Sequence, residues 1–112
     1  METMQTMINR RSIRKYKDEP IPKEKLDKIL RAGLLAPTSQ NKKPCEFYII
    51  KDRDTLEKLS EAKVFAAGIL AGCDCAIDVF ADSKMADVWI ENYTIALAYM
   101  NRMATKLGIG SC

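Results

Sequence analysis

The stretch DVWIENYTIALAYMNRMATKLGIGSC, residues 87–112, is the longest amphipathic run in the chain, and its reading sets the architecture. Val88, Tyr93, Leu97, Met100, Ala104 and Leu107 recur at helical spacing, so the segment predicts the longest helix, Asp87 to Leu107, with those residues on its buried face. Gly108 reads as the stop, because helices commonly end in a left-handed residue that glycine adopts without strain. Gly108-Ile109-Gly110-Ser111-Cys112 then has the chemistry of a turn leading into another strand.

Upstream of that helix, strands and helices alternate. Cys75-Ala76-Ile77-Asp78-Val79-Phe80-Ala81 predicts one strand, and Glu46-Phe47-Tyr48-Ile49-Ile50-Lys51, rich in aromatic and β-branched residues, predicts another. Between them, Asp54-Thr55-Leu56-Glu57 has the acidic start of a helix, and a helix from about Thr55 to Ala62 follows. Lys63 to Gly72 fits a helix by the spacing of its small apolar residues, while its glycines weaken one, and the sequence leaves it open.

Toward the amino terminus, Pro20-Ile21-Pro22 is a stiff approach to a helix from about Lys23 to Leu35. Pro22 suits the first helical position, and Leu26, Ile29, Leu30, Gly33 and Leu34 form the expected buried stripe. Pro37 stops this helix, and Ala36 to Pro44 is a polar loop between two prolines. Residues 3 to 9 carry Met4, Met7 and Ile8 at helical spacing, enough for a short amphipathic helix. The order predicts an α/β or α+β layered domain, yet an isolated pair of strands is marginal in water unless more strands or helices cover it.

The bulk composition excludes several classes. With 112 residues, 47% hydrophobic and 29% charged, the chain fits one soluble globular domain at most. Its formal charge of +3 is too small to argue for nucleic acid or a membrane surface. The longest apolar run, Val64 to Cys73, is shorter than the ~20 residues a membrane helix needs. No apolar leader opens the chain, so a reduced, cytoplasmic setting is expected for its four cysteines. There is no histidine to activate a serine or cysteine nucleophile, which argues against hydrolase chemistry. Cys73-Asp74-Cys75 sets two thiols on one face of a predicted strand, but zinc takes about four ligands, so structural thiols and no metal are expected. Glu91, Asn92 and Tyr93 could line a pocket, although polar residues on an amphipathic helix are more often its wet face.

The basic residues cluster early, in Arg10-Arg11-Ser12-Ile13-Arg14-Lys15-Tyr16-Lys17. On an extended backbone, residues 10, 12 and 14 share one side, so two guanidinium groups and a hydroxyl could converge on one anion. A phosphate monoester suits that geometry, because guanidinium offers paired planar donors and serine adds a neutral one. By spacing alone, a solvated basic turn is the commoner outcome. A reading from another class is a small nucleic-acid-binding module built on Arg10 to Lys17 and Lys42-Lys43.

Three motifs in order, Arg10 to Tyr16, then Leu35-Ala36-Pro37-Thr38-Ser39-Gln40-Asn41 with Pro44 three residues on, then Gly108 to Cys112 after a long helix, resemble the nitroreductase family of flavoenzymes. The likeness covers essentially the whole chain. It implies an α+β layered fold over residues 1–112, a central sheet flanked by helices and incomplete, since that family continues past the Gly-x-Gly-Ser-Cys motif into further strands. It implies flavin mononucleotide (FMN) as cofactor and NADH or NADPH as reductant, with a nitroaromatic, quinone or similar small molecule as electron acceptor.

By the same resemblance, Arg10 and Ser12 bind the flavin phosphate and ribityl chain, and Arg11 contributes nearby. Arg14 sits near the N1 and O2 edge of the ring, where a fixed cation stabilises the charge of reduced flavin. Pro37, Thr38, Ser39 and Asn41 pack on the cofactor from the neighbouring subunit of a homodimer. No side chain need be a catalytic acid or base. That family often has Trp where this chain has Cys45, exchanging a bulky anchor for a small thiol. The shortened chain would be either a fragment keeping part of the flavin site or a non-catalytic flavin-binding remnant.

Overall fold

The computed structural model describes residues 2–62 and 67–112. Its elements run α1 Thr3–Asn9, α2 Lys23–Leu35, a short 3-10 turn Ser39–Asn41, β1 Cys45–Ile50, α3 Arg53–Ala62, α4 Ala67–Gly72, β2 Ala76–Ala81 and α5 Trp89–Lys106. The segment from Lys63 that the sequence leaves open resolves into α4 from Ala67 onward, and 63–66 lie outside the described residues.

β1 and β2 pair antiparallel, with Cys45 opposite Ala81, Phe47 opposite Val79 and Ile49 opposite Ile77. Side chains alternate across a strand, so Phe47, Val79 and Ile77 share the face that packs on the core of Ile29, Met100 and Ala104. Helices α2 and α5 thereby cover one side of a two-stranded sheet. The opposite side carries Tyr48 and Phe80, both about half exposed and packed edge to face at 5.2 Å between ring centres.

The α2–α5 contact is close because small residues make it. Ala32 and Gly33 on α2 and Ala96 and Ala104 on α5 are buried. A Cβ on Gly33 would lie 2.9 Å from Met100 Cγ and Sδ and 3.0 Å from Phe47 Cε1. This overturns part of the expected stripes. Leu34, expected inside, is 62% exposed, and on α5 the buried line runs through Asn92, Ala96, Met100 and Ala104 while Val88 and Leu97 face outward. Leu26, Ile29 and Gly33 on α2 and Met100 and Ala104 on α5 are buried as expected, and the small residues Ala32, Gly33, Ala96 and Ala104 let the two helices touch. On α1, Thr6 is buried and its hydroxyl donates to the Glu2 carbonyl, while Met4, Met7 and Ile8 are exposed.

Helix ends are set by specific groups. Pro22 is the residue before α2 and not its first residue, its carbonyl accepting the amides of Lys25 and Leu26. Asp52, not Asp54, caps α3: its carboxylate accepts the Thr55 amide and hydroxyl, which holds its pKa below the ordinary value. Lys25 Nζ donates to the Leu107 carbonyl at the end of α5, a cation where the helix dipole is negative. Arg53 donates to the carbonyls of Ala71 and Cys73, closing the end of α4.

Replacing Gly33 by Ala is expected to force Met100 and the Phe47 ring apart and cost about 1–3 kcal/mol of stability. A urea titration of the full chain, read by far-ultraviolet dichroism, checks this.

Candidate functional site

The expected anion-binding residues lie on an irregular segment that leaves α1 at Arg10. Its backbone is fixed to the other end of the chain, the Ile13 amide donating to the Ser111 carbonyl at 2.9 Å. Gly110 is required beside it, since a Cβ there would lie 2.9 Å from Ile13 Cγ2. Asn101 on α5 donates to the Ser111 hydroxyl, so α5 holds the closing segment and that segment holds Ile13. Around this pinned residue, Ser12 and Arg14 are exposed and Arg10 is half-buried.

Among the described residues, the side chains of Arg10, Ser12 and Arg14 make no hydrogen bond or ion pair, and the one salt bridge is Lys23 to Asp27 on the surface. Arg11 is different. Its guanidinium donates to the carbonyls of Ile8 and Arg10, both at 2.8 Å, and so fixes the turn out of α1. The basic cluster is therefore three free donor groups and one committed guanidinium.

The second group of expected residues, Pro37, Thr38, Ser39 and Asn41, forms an exposed loop with Thr38 half-buried. Three of its non-glycine residues are left-handed: Gln40 at φ 54°, Asn41 at φ 56° and Lys43 at φ 50°. Such conformations are uncommon outside glycine and cost of order 1 kcal/mol each, so surrounding bonds must hold them. Thr38 supplies two, its hydroxyl accepting the Lys43 amide and its carbonyl the Asn41 amide. Pro44 follows as a buried residue whose carbonyl accepts the Asp82 amide beside β2.

A third bond comes from α5. Asn92, which helix patterning assigns more readily to a wet face, is 2% exposed, and its Oδ1 accepts the Ser39 amide at 3.3 Å. Its Nδ2 is buried with no partner among the described residues. A buried donor left unpaired costs about 1–3 kcal/mol, so the position is not explained by stability alone. Beside it lies a small cavity of about 40 Å³ bordered by Gly33, Thr38, Lys43, Cys45 and Phe47. Cys45 is one of the residues that line it. The sequence offers Asn92 as a possible pocket residue but favours the wet face, because a lone polar residue on an amphipathic helix carries no outward signal of burial; the structure places it inside, lining the cavity.

The two groups are anchored at separate points of α5. The loop is tied to α5 at Asn92 and the basic segment at Asn101 through Ser111. These nine positions span roughly 14 Å at 1.5 Å per helical residue. No bond joins the groups among the described residues.

Cys73 and Cys75 do not sit on a strand face as expected. They lie in a bend ahead of β2, all four cysteines are free, and no metal-holding cluster occurs among the described residues. Burial pushes both thiols up, as it does the Tyr16 hydroxyl, with the negative charge of Asp74 a smaller contribution at Cys75.

A family model for the nitroreductase family matches residues 7–66, which hold both motif groups. The chain belongs to the nitroreductase family. A relative in Archaeoglobus fulgidus, provisionally named NADH dehydrogenase/NAD(P)H nitroreductase, is 39% identical over 98% of this chain and 65% of its own length. The structure of an FMN-dependent nitroreductase from Clostridium difficile R20291 superposes with a TM-score of 0.92 at 44% identity, covering 98% of this chain and 64% of that one. A Desulfovibrio desulfuricans structure, provisionally named a nitroreductase and solved in complex with FMN, superposes at 0.87 and 31% identity, covering 98% and 67%. This nitroreductase-family chain thus has the α+β fold of its relatives over just under two thirds of the length of the first two. No helix among its described residues is long and apolar enough to cross a membrane.

The raised thiol and phenol values carry a pH signature in this family member. Each group holds its proton more tightly when folded, so the stability it confers is complete below the ordinary thiol value of 9.0 and is lost as pH rises through the folded value. The thermal midpoint is expected to fall as pH rises above about 9, and Cys73→Ala with Cys75→Ala to flatten that fall in a calorimetric series.

Proposed function

We propose that this chain forms the amino-terminal part of an FMN-binding site in a NAD(P)H-dependent oxidoreductase that reduces nitroaromatics, quinones or related small acceptors. The observation that carries the reading is the set of donors at Arg10, Ser12 and Arg14: two guanidiniums and a hydroxyl that make no hydrogen bond or ion pair among the described residues, on a segment whose backbone is pinned at Ile13. Unspent donors of that type are matched to a phosphate and to an electron-rich ring edge. The donor set fits the flavin.

In this reading, Arg10 and Ser12 hold the phosphate and ribityl chain, and Arg14 lies along the N1 and O2 edge. Arg11 fixes the turn and adds its charge nearby. The flavin, when bound, supplies two-electron transfer from NADH or NADPH to the acceptor. The protein's part is to orient the ring and to set charge around it, and no side chain here is assigned proton transfer.

Pro37, Thr38, Ser39 and Asn41 serve the cofactor held by a second copy of the chain. Two features support this. Within one protomer the loop and the basic segment are attached at separated points on α5. In addition, Met4, Met7 and Ile8 on α1, Leu34 on α2 and Ile90 and Leu97 on α5 are exposed large apolar residues of the kind that a subunit interface covers. The free cysteines agree with a reducing, cytoplasmic setting.

Titration of the full chain with FMN, read by quenching of flavin fluorescence, tests the proposal. Arg10→Ala and Arg14→Ala are each expected to weaken binding by about tenfold or more, the loss of one charge-assisted hydrogen bond, and Arg14→Ala also to slow flavin reduction by NADH. Affinity should fall as salt is raised. Unchanged affinity in both variants, or salt-sensitive binding of DNA by a colourless protein, would overturn it.

A further inference from the structure

We infer that Asn92 is the positioning residue of the Pro37–Asn41 loop: a buried amide on α5 that latches Ser39 and so fixes the strained backbone that follows. Its role toward the flavin rests on the function proposed above, whereas the latch itself rests on geometry.

The loop departs from α2 at Ala36 and must pass through left-handed Gln40 and Asn41 before Lys43, also left-handed, returns it to β1. Local bonds from Thr38 close the Lys43 and Asn41 amides, but these lie within the loop and could move with it. The Asn92 bond to the Ser39 amide is of another kind, because it comes from the helix that packs against α2 and the sheet. It refers the loop to the rigid core. Asn92 is 2% exposed, lines the cavity beside the loop together with Thr38, Lys43 and Cys45, and leaves its Nδ2 without a partner among the described residues. An apolar side chain of similar volume would fill that place without an orphaned donor. The Oδ1 acceptor is what distinguishes asparagine there, and its partner among the described residues is Ser39, the first residue of the turn that also carries Asn41.

This separates positioning from packing. Asn92→Leu keeps the volume and removes the acceptor, while Asn92→Asp keeps an acceptor at Oδ1 and removes the orphaned donor. Amide hydrogen exchange in the isotopically labelled full chain, followed by nuclear magnetic resonance, reads the latch directly. In Asn92→Leu, exchange at Ser39 is expected to accelerate by about tenfold, while the amides of Met100 and Ala104 in α5 keep their protection. Asn92→Asp is expected to restore slow exchange at Ser39. FMN affinity should follow the same order, weakened about tenfold in Asn92→Leu and recovered in Asn92→Asp.

Unchanged Ser39 exchange in Asn92→Leu defeats the proposal, as does equal loss of protection at Met100 and Ala104, which would mark a packing role. Should Asn92→Leu not fold, failure of Asn92→Asp to slow Ser39 exchange to the wild-type rate defeats it equally. If no variant, wild type included, binds FMN, the flavin reading falls and the exchange data alone decide the latch.

Discussion

Everything in this chain is referenced to the close approach of α2 and α5 at Gly33 and Met100. The absence of a side chain at Gly33 lets Met100 lie across α2, and the Phe47 ring packs into the same space from β1. Two helices and a strand are thereby locked at one point. A two-stranded sheet has little stability of its own, and here it draws on that contact through Phe47, Ile77 and Val79. The lysine of α2 that reaches the Leu107 carbonyl ties the same pair of helices again at the far end of α5.

With α5 held, its length becomes a spacing device. Asn92 near its start fixes the polar loop, and Asn101 near its end fixes the closing segment, which in turn fixes Ile13. The helix therefore carries the two groups of candidate residues at a set separation. The basic segment keeps its donors unspent, and the loop keeps a backbone that is costly without external bonds. Both features put free energy into a prepared surface instead of into the stability of the isolated chain. The family membership gives that surface a context, and the proposed function reads it as a surface for anion and ring recognition.

Much of the fold was legible in the residue pattern. α2 begins and ends where Pro22 and Pro37 place it, and both strands fall within one residue of their patterned runs. The Arg-Arg-Ser-Ile-Arg segment and the Pro-Thr-Ser-Gln-Asn loop were visible as motifs because they are polar, local and bounded by breakers. Their geometry was not. The cap on α3 moved from Asp54 to Asp52, since a cap is chosen by which carboxylate can reach an amide. Cys73 and Cys75 fell in a bend, because strand pairing with β1 extends only back to Ala76.

The sequence by itself determined most of the helical and extended segments (α4 excepted), where prolines and glycines break them, and which chemical groups are carried together on the basic segment and the loop. These follow from local sterics and short-range periodicity, which each stretch of chain carries within itself. Only the tertiary structure decided which face of α5 is buried and that Asn92 lies inside while Leu97 lies outside. Those outcomes depend on how closely two helices can approach and on which carbonyls and amides are left within reach. Such quantities exist only between elements, so no single stretch of residues encodes them.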